Sequence, residues 1–375
     1  MKRYSQTKGA LYMWIEPDLS ALPRVIDGGV WGGSAGHLQG MAADDENRYF
    51  YFSFTDRLVK ADMRTGAVVA SVTGLLAGGI YGGGAHLGDL AFWNGRVYGS
   101  LEYKAAEKFY IAVFDADAMT QMDMDYRESG AMRAVYMDEV TRDYTDDLDA
   151  GEHDNRPDSL GHRFGCSGID GITFGRLPGD DSGKIYLLLA YGVYGNARRT
   201  DNDNQVLLAF DPEALEPLSF DQNAPHTEGP TPAAKLFLHT GNTTYGVQNL
   251  EYDRESGDHW LVCYPGEKAS YPNWPVYVID GRVPPVRRLV ETGGHPCYAG
   301  LEGLHLSLRP AGAYHPLSGV WGIPMMPGNA DTGFVSLGGD LFYVAESGRL
   351  EDGRQFGRAV LCRLDRENCL FRPVP

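Results

Sequence analysis

Cysteine is scarce in this chain and poorly placed for cross-linking. The five residues, Cys166, Cys263, Cys297, Cys362 and Cys369, make an odd set with no Cys-x-x-Cys pair. That argues against a disulfide framework and against a zinc knuckle. Long apolar runs are missing as well. No stretch approaches the ~18 apolar residues a membrane-spanning helix needs. The basic start Met1-Lys2-Arg3 has no apolar segment behind it, so no secretory leader is visible and a cytoplasmic location is expected. Positive charge is in deficit: 33 Lys and Arg face 50 Asp and Glu, for a net charge of −17. Nucleic-acid binding, which needs a cationic surface to displace counterions, is excluded on that ground. Apolar residues at helical spacing are almost absent, which leaves strands.

What the chain does contain is a repeat. Five times a short apolar run ends in Asp and breaks into turn residues. The five are Val59-Lys60-Ala61-Asp62, Ala112-Val113-Phe114-Asp115, Leu208-Ala209-Phe210-Asp211, Tyr277-Val278-Ile279-Asp280 and Cys362-Arg363-Leu364-Asp365. An Asp opening a turn accepts bonds from backbone N–H groups ahead of it and fixes the reversal. Upstream of each lies an aromatic and β-branched strand, such as Tyr49–Phe54 or Ile185–Ala190. Before that stands a strand with a polar or glycine step: Leu38-Gln39-Gly40, Leu87-Gly88-Asp89, Ile169-Asp170-Gly171, Val247-Gln248-Asn249 and Val335-Ser336-Leu337. A weaker fourth strand follows each Asp-turn. Four antiparallel strands repeated five times predict an all-β fold, a five-bladed β-propeller in one domain over 1–375. Residues 1–36 form an N-terminal segment, and blades begin near 37, 86, 168, 246 and 332. Leu301-Glu302-Gly303-Leu304 resembles a sixth inner strand, so six blades are the alternative. No Asp-turn follows it, and 293–331 is read as an insertion.

Strands alternate in direction, so connections sort onto two faces. The long ones, 74–86, 126–167, 222–246, 293–331, 192–204, 265–274 and 346–357, all fall on the face where inner strands begin. Long loops on one face of a rigid scaffold mark a functional face. Inner strands line the channel, so Gln39, Asp170 and Gln248 should ring its mouth, with Asp89 one level below. His37 and His86 stand just outside. Residues ending the second strands point to the same face: Glu102 with Lys104, Tyr191, Tyr264 and Glu346. Asp89, Asp170 and Glu302 are the candidate acids and bases. Gln39, Gln248, Glu102, Tyr191, Tyr245 and Glu346 are candidate substrate-binding residues. Upper-loop aromatics (Trp31, Tyr81, Tyr245, Tyr271, Trp274, Trp321) could stack on a sugar or simply pack the loops. His37 and His86 are candidate ligands for one divalent cation on the axis, Ca²⁺ first.

Three resemblances bear on function. The repeat resembles five-bladed glycosidases, which implies hydrolysis by channel carboxylates. Their Asp-Pro phrase on the first inner strand is replaced here by Gln39-Gly40. The run from Gly88 through Asp89, Phe92, Trp93 and Asn94 to Tyr98 looks like a blade of calcium-activated nucleotidases, which implies an axial calcium. Glu302-Gly303 is similar to the Glu-Gly phrase of gluconolactonase-type propellers, which implies a metal-binding Glu302. No one of these covers the whole chain, and a shared fold does not carry function. The expectation is a soluble hydrolase or lyase acting on a small carbohydrate or related polar metabolite. The alternatives are a non-catalytic binding propeller and a calcium-dependent phosphohydrolase or lactonase. The channel-mouth residues differ from blade to blade, which points to one asymmetric site. A small polar or sugar ligand is the expected partner, with oligomeric state left open.

Overall fold

The computed structural model describes residues 19–75, 84–145, 161–221, 227–290, 292 and 298–375. They form five antiparallel sheets in a ring, a five-bladed β-propeller. Each blade starts on the axis. The innermost strands are Leu38–Ala43, His86–Trp93, Cys166–Gly175, Thr243–Tyr252 and Phe334–Gly338. Five hydrophobic clusters fill the five gaps between neighbouring blades. One example joins Tyr98 and Ile111 of the second blade to Ile172 and Leu189 of the third. Another joins Trp260 and Val262 of the fourth to Phe334 and Phe342 of the fifth. A twisted sheet cannot bury both faces alone, and stacking around a ring gives each face a partner.

All five Asp-turns form as the repeat predicts. The Oδ1 atoms of Asp62, Asp115, Asp211, Asp280 and Asp365 accept from the N–H groups of Thr65, Asp117, Glu213, Arg282 and Asn368 at 2.9–3.2 Å. The ring closes through the chain's two ends. The early strand Val25–Trp31 pairs antiparallel with Gln355–Asp365 of the last blade, Val25 opposite Val360. Leu370–Pro373 adds to the same strand on its other half.

The stretches 126–167 and 222–246 are not plain connections. Each contains the outer strand of its blade, Met132–Tyr136 and Ala234–His239, and the first also carries the helix Asp138–Thr145. Both are largely buried, Met132, Ala134, Val135 and Tyr136 in the first and Leu236, Phe237 and Leu238 in the second. The insertion is partly regular too. Glu302–His305 runs parallel to Ala234–His239 and with Val286–Leu289 extends the third blade outward. Gly322 and Ile323 lie against the fourth blade, whose own sheet has three strands.

On the axis the inner strands touch. A side chain at Gly40 would sit 2.5 Å from the Cα of Asp89, and one at Gly171 2.9 Å from the Cβ of Leu250. Glycine is needed at both for this close approach. Asp89 pins the level together: its Oδ2 accepts from Ile172 N (2.9 Å) and Leu250 N (3.0 Å), and its Oδ1 from Leu90 N (2.9 Å). Asn249 Nδ2 donates to the carbonyls of Gln39 and Asp331, at 3.3 and 3.0 Å. Below lies a cavity of about 90 Å³, lined in part by Asp44, Glu251, Arg254 and Ser336. There Glu251 Oε1 accepts from Ser336 N at 2.8 Å. Burial pushes the Glu251 carboxyl up to about 8.

Candidate functional site at the channel mouth

Four inner strands carry a register irregularity near the mouth: Leu38/Gly40, Leu87/Leu90, Ile169/Ile172 and Val247/Asn249. A bulge turns the extra residue out of the ladder and re-aims its side chain. The residues within these breaks include Gln39, Asp89, Asp170 and Gln248. In the first, third and fourth blades the break falls on the apolar-polar-Gly/Asn step of the sequence, and in the second on Leu87-Gly88-Asp89.

Around the mouth, two opposed walls gather titratable groups. On the side of the second and third blades stand His86, Glu102, Lys104 and Asp170. Glu102 is buried at 3% exposure. Its Oε1 meets Lys104 Nζ at 3.1 Å and lies 3.6 Å from His86 Nδ1, and its Oε2 accepts from Ile169 N at 3.3 Å. Burial, reinforced by the charge of Glu102, drives the Asp170 carboxyl well above the carboxylate range; Lys104 and a hydrogen bond with Gln248 pull the other way. Burial disfavours the Lys104 ammonium, yet Glu102 and Asp170 outweigh it and hold it above the usual lysine range. His86 is lowered by burial against the pull of Glu102. Two carboxyls thus share one environment, Glu102 ion-paired with Lys104 and Asp170 raised by burial and by the charge of Glu102.

The facing wall comes from the fifth, first and fourth blades. Gln39 Nε2 lies 2.9 Å from His37 Nε2. Burial lowers His37, and Asp331 raises it in part. Burial raises Asp331, against a hydrogen bond with Tyr264. Tyr264 is edge-on to Tyr245, with ring centroids 6.2 Å apart. Gln248 Nε2 donates to Tyr245 O at 3.2 Å.

The structure thus brings Gln39, His37, His86, Glu102, Asp170, Gln248 and Tyr245 to one mouth, with Lys104 and Tyr264. Asp331 joins them and was missed, because its segment reads as the tail of the insertion. Its usable signal is its place just ahead of an inner strand, like His37.

Four candidates stand apart. Asp89 is on the axis, but its carboxylate oxygens are occupied by three backbone amides. Tyr191 is fully buried between blades, where its hydroxyl donates to Asp143 Oδ2 at 2.9 Å. It pairs with Ile169 on the inner strand, whereas Glu102 pairs with His86, and with side chains alternating along a strand it points to the blade interface. Glu302 lies on the outer extension of the third blade, in the strand paired with Val286–Leu289. Glu346 is ion-paired with Arg358, its cross-strand neighbour.

No group of three or more His, Cys, Asp or Glu side chains is arranged to hold a metal ion among the described residues. The Asp201-Asn202-Asp203-Asn204 run serves packing: Asp201 pairs with Arg199 and Asp203 with Lys268. Of the upper-loop aromatics, Trp31 stacks under Arg57, Tyr271 donates to Asp203, Trp274 meets His315 edge-on and Trp321 lies on Tyr314. Tyr81 is outside the described residues. No helix among the described residues is long and apolar enough to cross a membrane.

No family model matches the sequence, and no curated protein matches it. Solved structures similar in fold include a glycoside hydrolase, at 13% identity and a TM-score of 0.35, covering 92% of this chain and 64% of that one. This chain spans less than two thirds of that protein's length. The Dos1 propeller matches at 11% identity and a TM-score of 0.36, covering 89% of this chain and 95% of that one. The hydrazine synthase of Kuenenia stuttgartiensis matches at 10% identity and a TM-score of 0.31, covering 95% of this chain and 69% of that one. At these levels the likeness concerns the ring alone.

Proposed function

We propose that the chain is an enzyme acting at the channel mouth on a small carbohydrate or related polyhydroxylated metabolite, as a hydrolase or lyase. One observation carries the reading: Glu102 and Asp170 share the mouth as a couple, Glu102 paired with Lys104 and the Asp170 carboxyl raised by burial and by the charge of Glu102. In this scheme Asp170 gives its proton to the oxygen of the leaving group as the bond breaks. Glu102 takes a proton, from water attacking the carbon in hydrolysis or from carbon in elimination. Gln39, Gln248 and His37 supply donors and acceptors for hydroxyl groups.

A panel of chromogenic glycosides and unsubstituted uronides tests this. Product is expected from the natural protein and none from Glu102→Gln, with ligand affinity kept within a few-fold. Binding without product across the panel would make the chain a binding propeller instead. Absence of both binding and product would end the reading.

A further inference from the structure

Tyr245 holds an unusual backbone. Its φ is +61°, and Gly246 after it has φ +75°. Bulky residues avoid the left-handed region because Cβ crowds the neighbouring carbonyl. Most non-glycine residues with positive φ here are Asn, Asp, Glu or Cys, such as Asn47, Asn94 and Asp340. Three carry rings. Two of those, His162 and Phe164, are 2% and 3% exposed, so packing holds them. Tyr245 is 52% exposed. The bulge itself is anchored by its neighbour: a side chain at Gly246 would strike Tyr191 O at 2.5 Å. A glycine at 245 would make the same turn without strain. Strain retained at an exposed position beside polar groups marks a functional role.

We infer that Tyr245 is a stacking platform which selects ring-shaped polyols, with the apolar C–H face of the ligand on its ring. The inference rests on the proposed function and narrows its substrate class. Tyr264 backs the platform edge-on at 6.2 Å. Gln248, which donates to the carbonyl of Tyr245, is also bonded to Asp170. A ring seated on Tyr245 therefore has its hydroxyls directed at the couple. Acyclic polyols present no continuous C–H face and lose this contact.

The test uses the full chain, calorimetry with methyl pyranosides and myo-inositol against sorbitol, and thermal melting. The cyclic probes are expected to bind and sorbitol to bind about tenfold more weakly or not at all. Tyr245→Phe keeps this preference. Tyr245→Gly loses the cyclic probes, while its Tm stays level or rises because the strain is relieved. Unchanged binding of cyclic probes by Tyr245→Gly overturns the platform and leaves the acid–base reading standing. A fall of several degrees in Tm for that variant makes the ring a structural prop and overturns it too. Should no cyclic probe bind the natural protein, the platform and the proposed substrate class fall together.

Discussion

Asp170→Asn is expected to lower turnover by about a hundred- to ten-thousand-fold, the usual worth of a general acid. The same substitution should stabilise the protein at neutral and alkaline pH. The sign follows from linkage. Asp170 binds its proton more tightly folded than unfolded, because burial and Glu102 oppose its ionisation. Folded stability is therefore whole below the unfolded carboxyl value and declines as pH rises through the folded one. Asn does not titrate, so the variant escapes that decline. Melting curves should show the gain over the natural protein growing from pH 4 upward and absent at pH 4. A second reading comes from Glu102. Removing its charge in Glu102→Gln withdraws one of the two forces raising Asp170, so the decline begins at the same unfolded carboxyl value in both proteins and ends at a lower pH in the variant. Full turnover by Asp170→Asn on a confirmed substrate would remove Asp170 from the chemistry. A pH-independent difference in Tm would remove the raised carboxyl.

The second large effect is on the fold. Asp89→Ala strips acceptors from three buried amides on three inner strands: Leu90, Ile172 and Leu250. Each unsatisfied buried donor costs about 1–3 kcal/mol. A loss on the order of 4 kcal/mol is expected, read as a drop of roughly 5 °C in Tm. Asp89→Asn should fall between, since its one amide oxygen can still serve Ile172 and Leu250 while its NH₂ faces the N–H of Leu90. An Ala variant melting within a degree of the natural protein would show that the axis holds without this pin.

The repeat was legible because Asp-turns are local: the bond from Asp62 to Thr65 needs only adjacent residues. The inner-strand pattern was legible because a polar residue turned to the mouth stands beside a glycine where the strands touch, as in Gln39-Gly40 and Asp170-Gly171. Burial was not. Asp89 and Asp170 read alike in the sequence, yet one meets three backbone amides and the other a carboxylate and an amine. Which neighbours a polar side chain finds depends on how adjacent blades are set against each other. Tyr191 and Glu102 differ by one step of strand parity, and a bulge of unknown position hides that step. Glu302 was misplaced because an inserted strand can extend a blade outward as readily as it can start a new one.

The pairing of Val25–Trp31 with Gln355–Asp365 has a consequence for biosynthesis. The first strand leaves the ribosome long before its partner is made. Until the last blade emerges, Val25–Trp31 is the only strand of the fifth sheet yet made, and both flanks of the arc lie open. The nascent chain must therefore wait with an unzipped seam, and truncation near either terminus should leave the same gap.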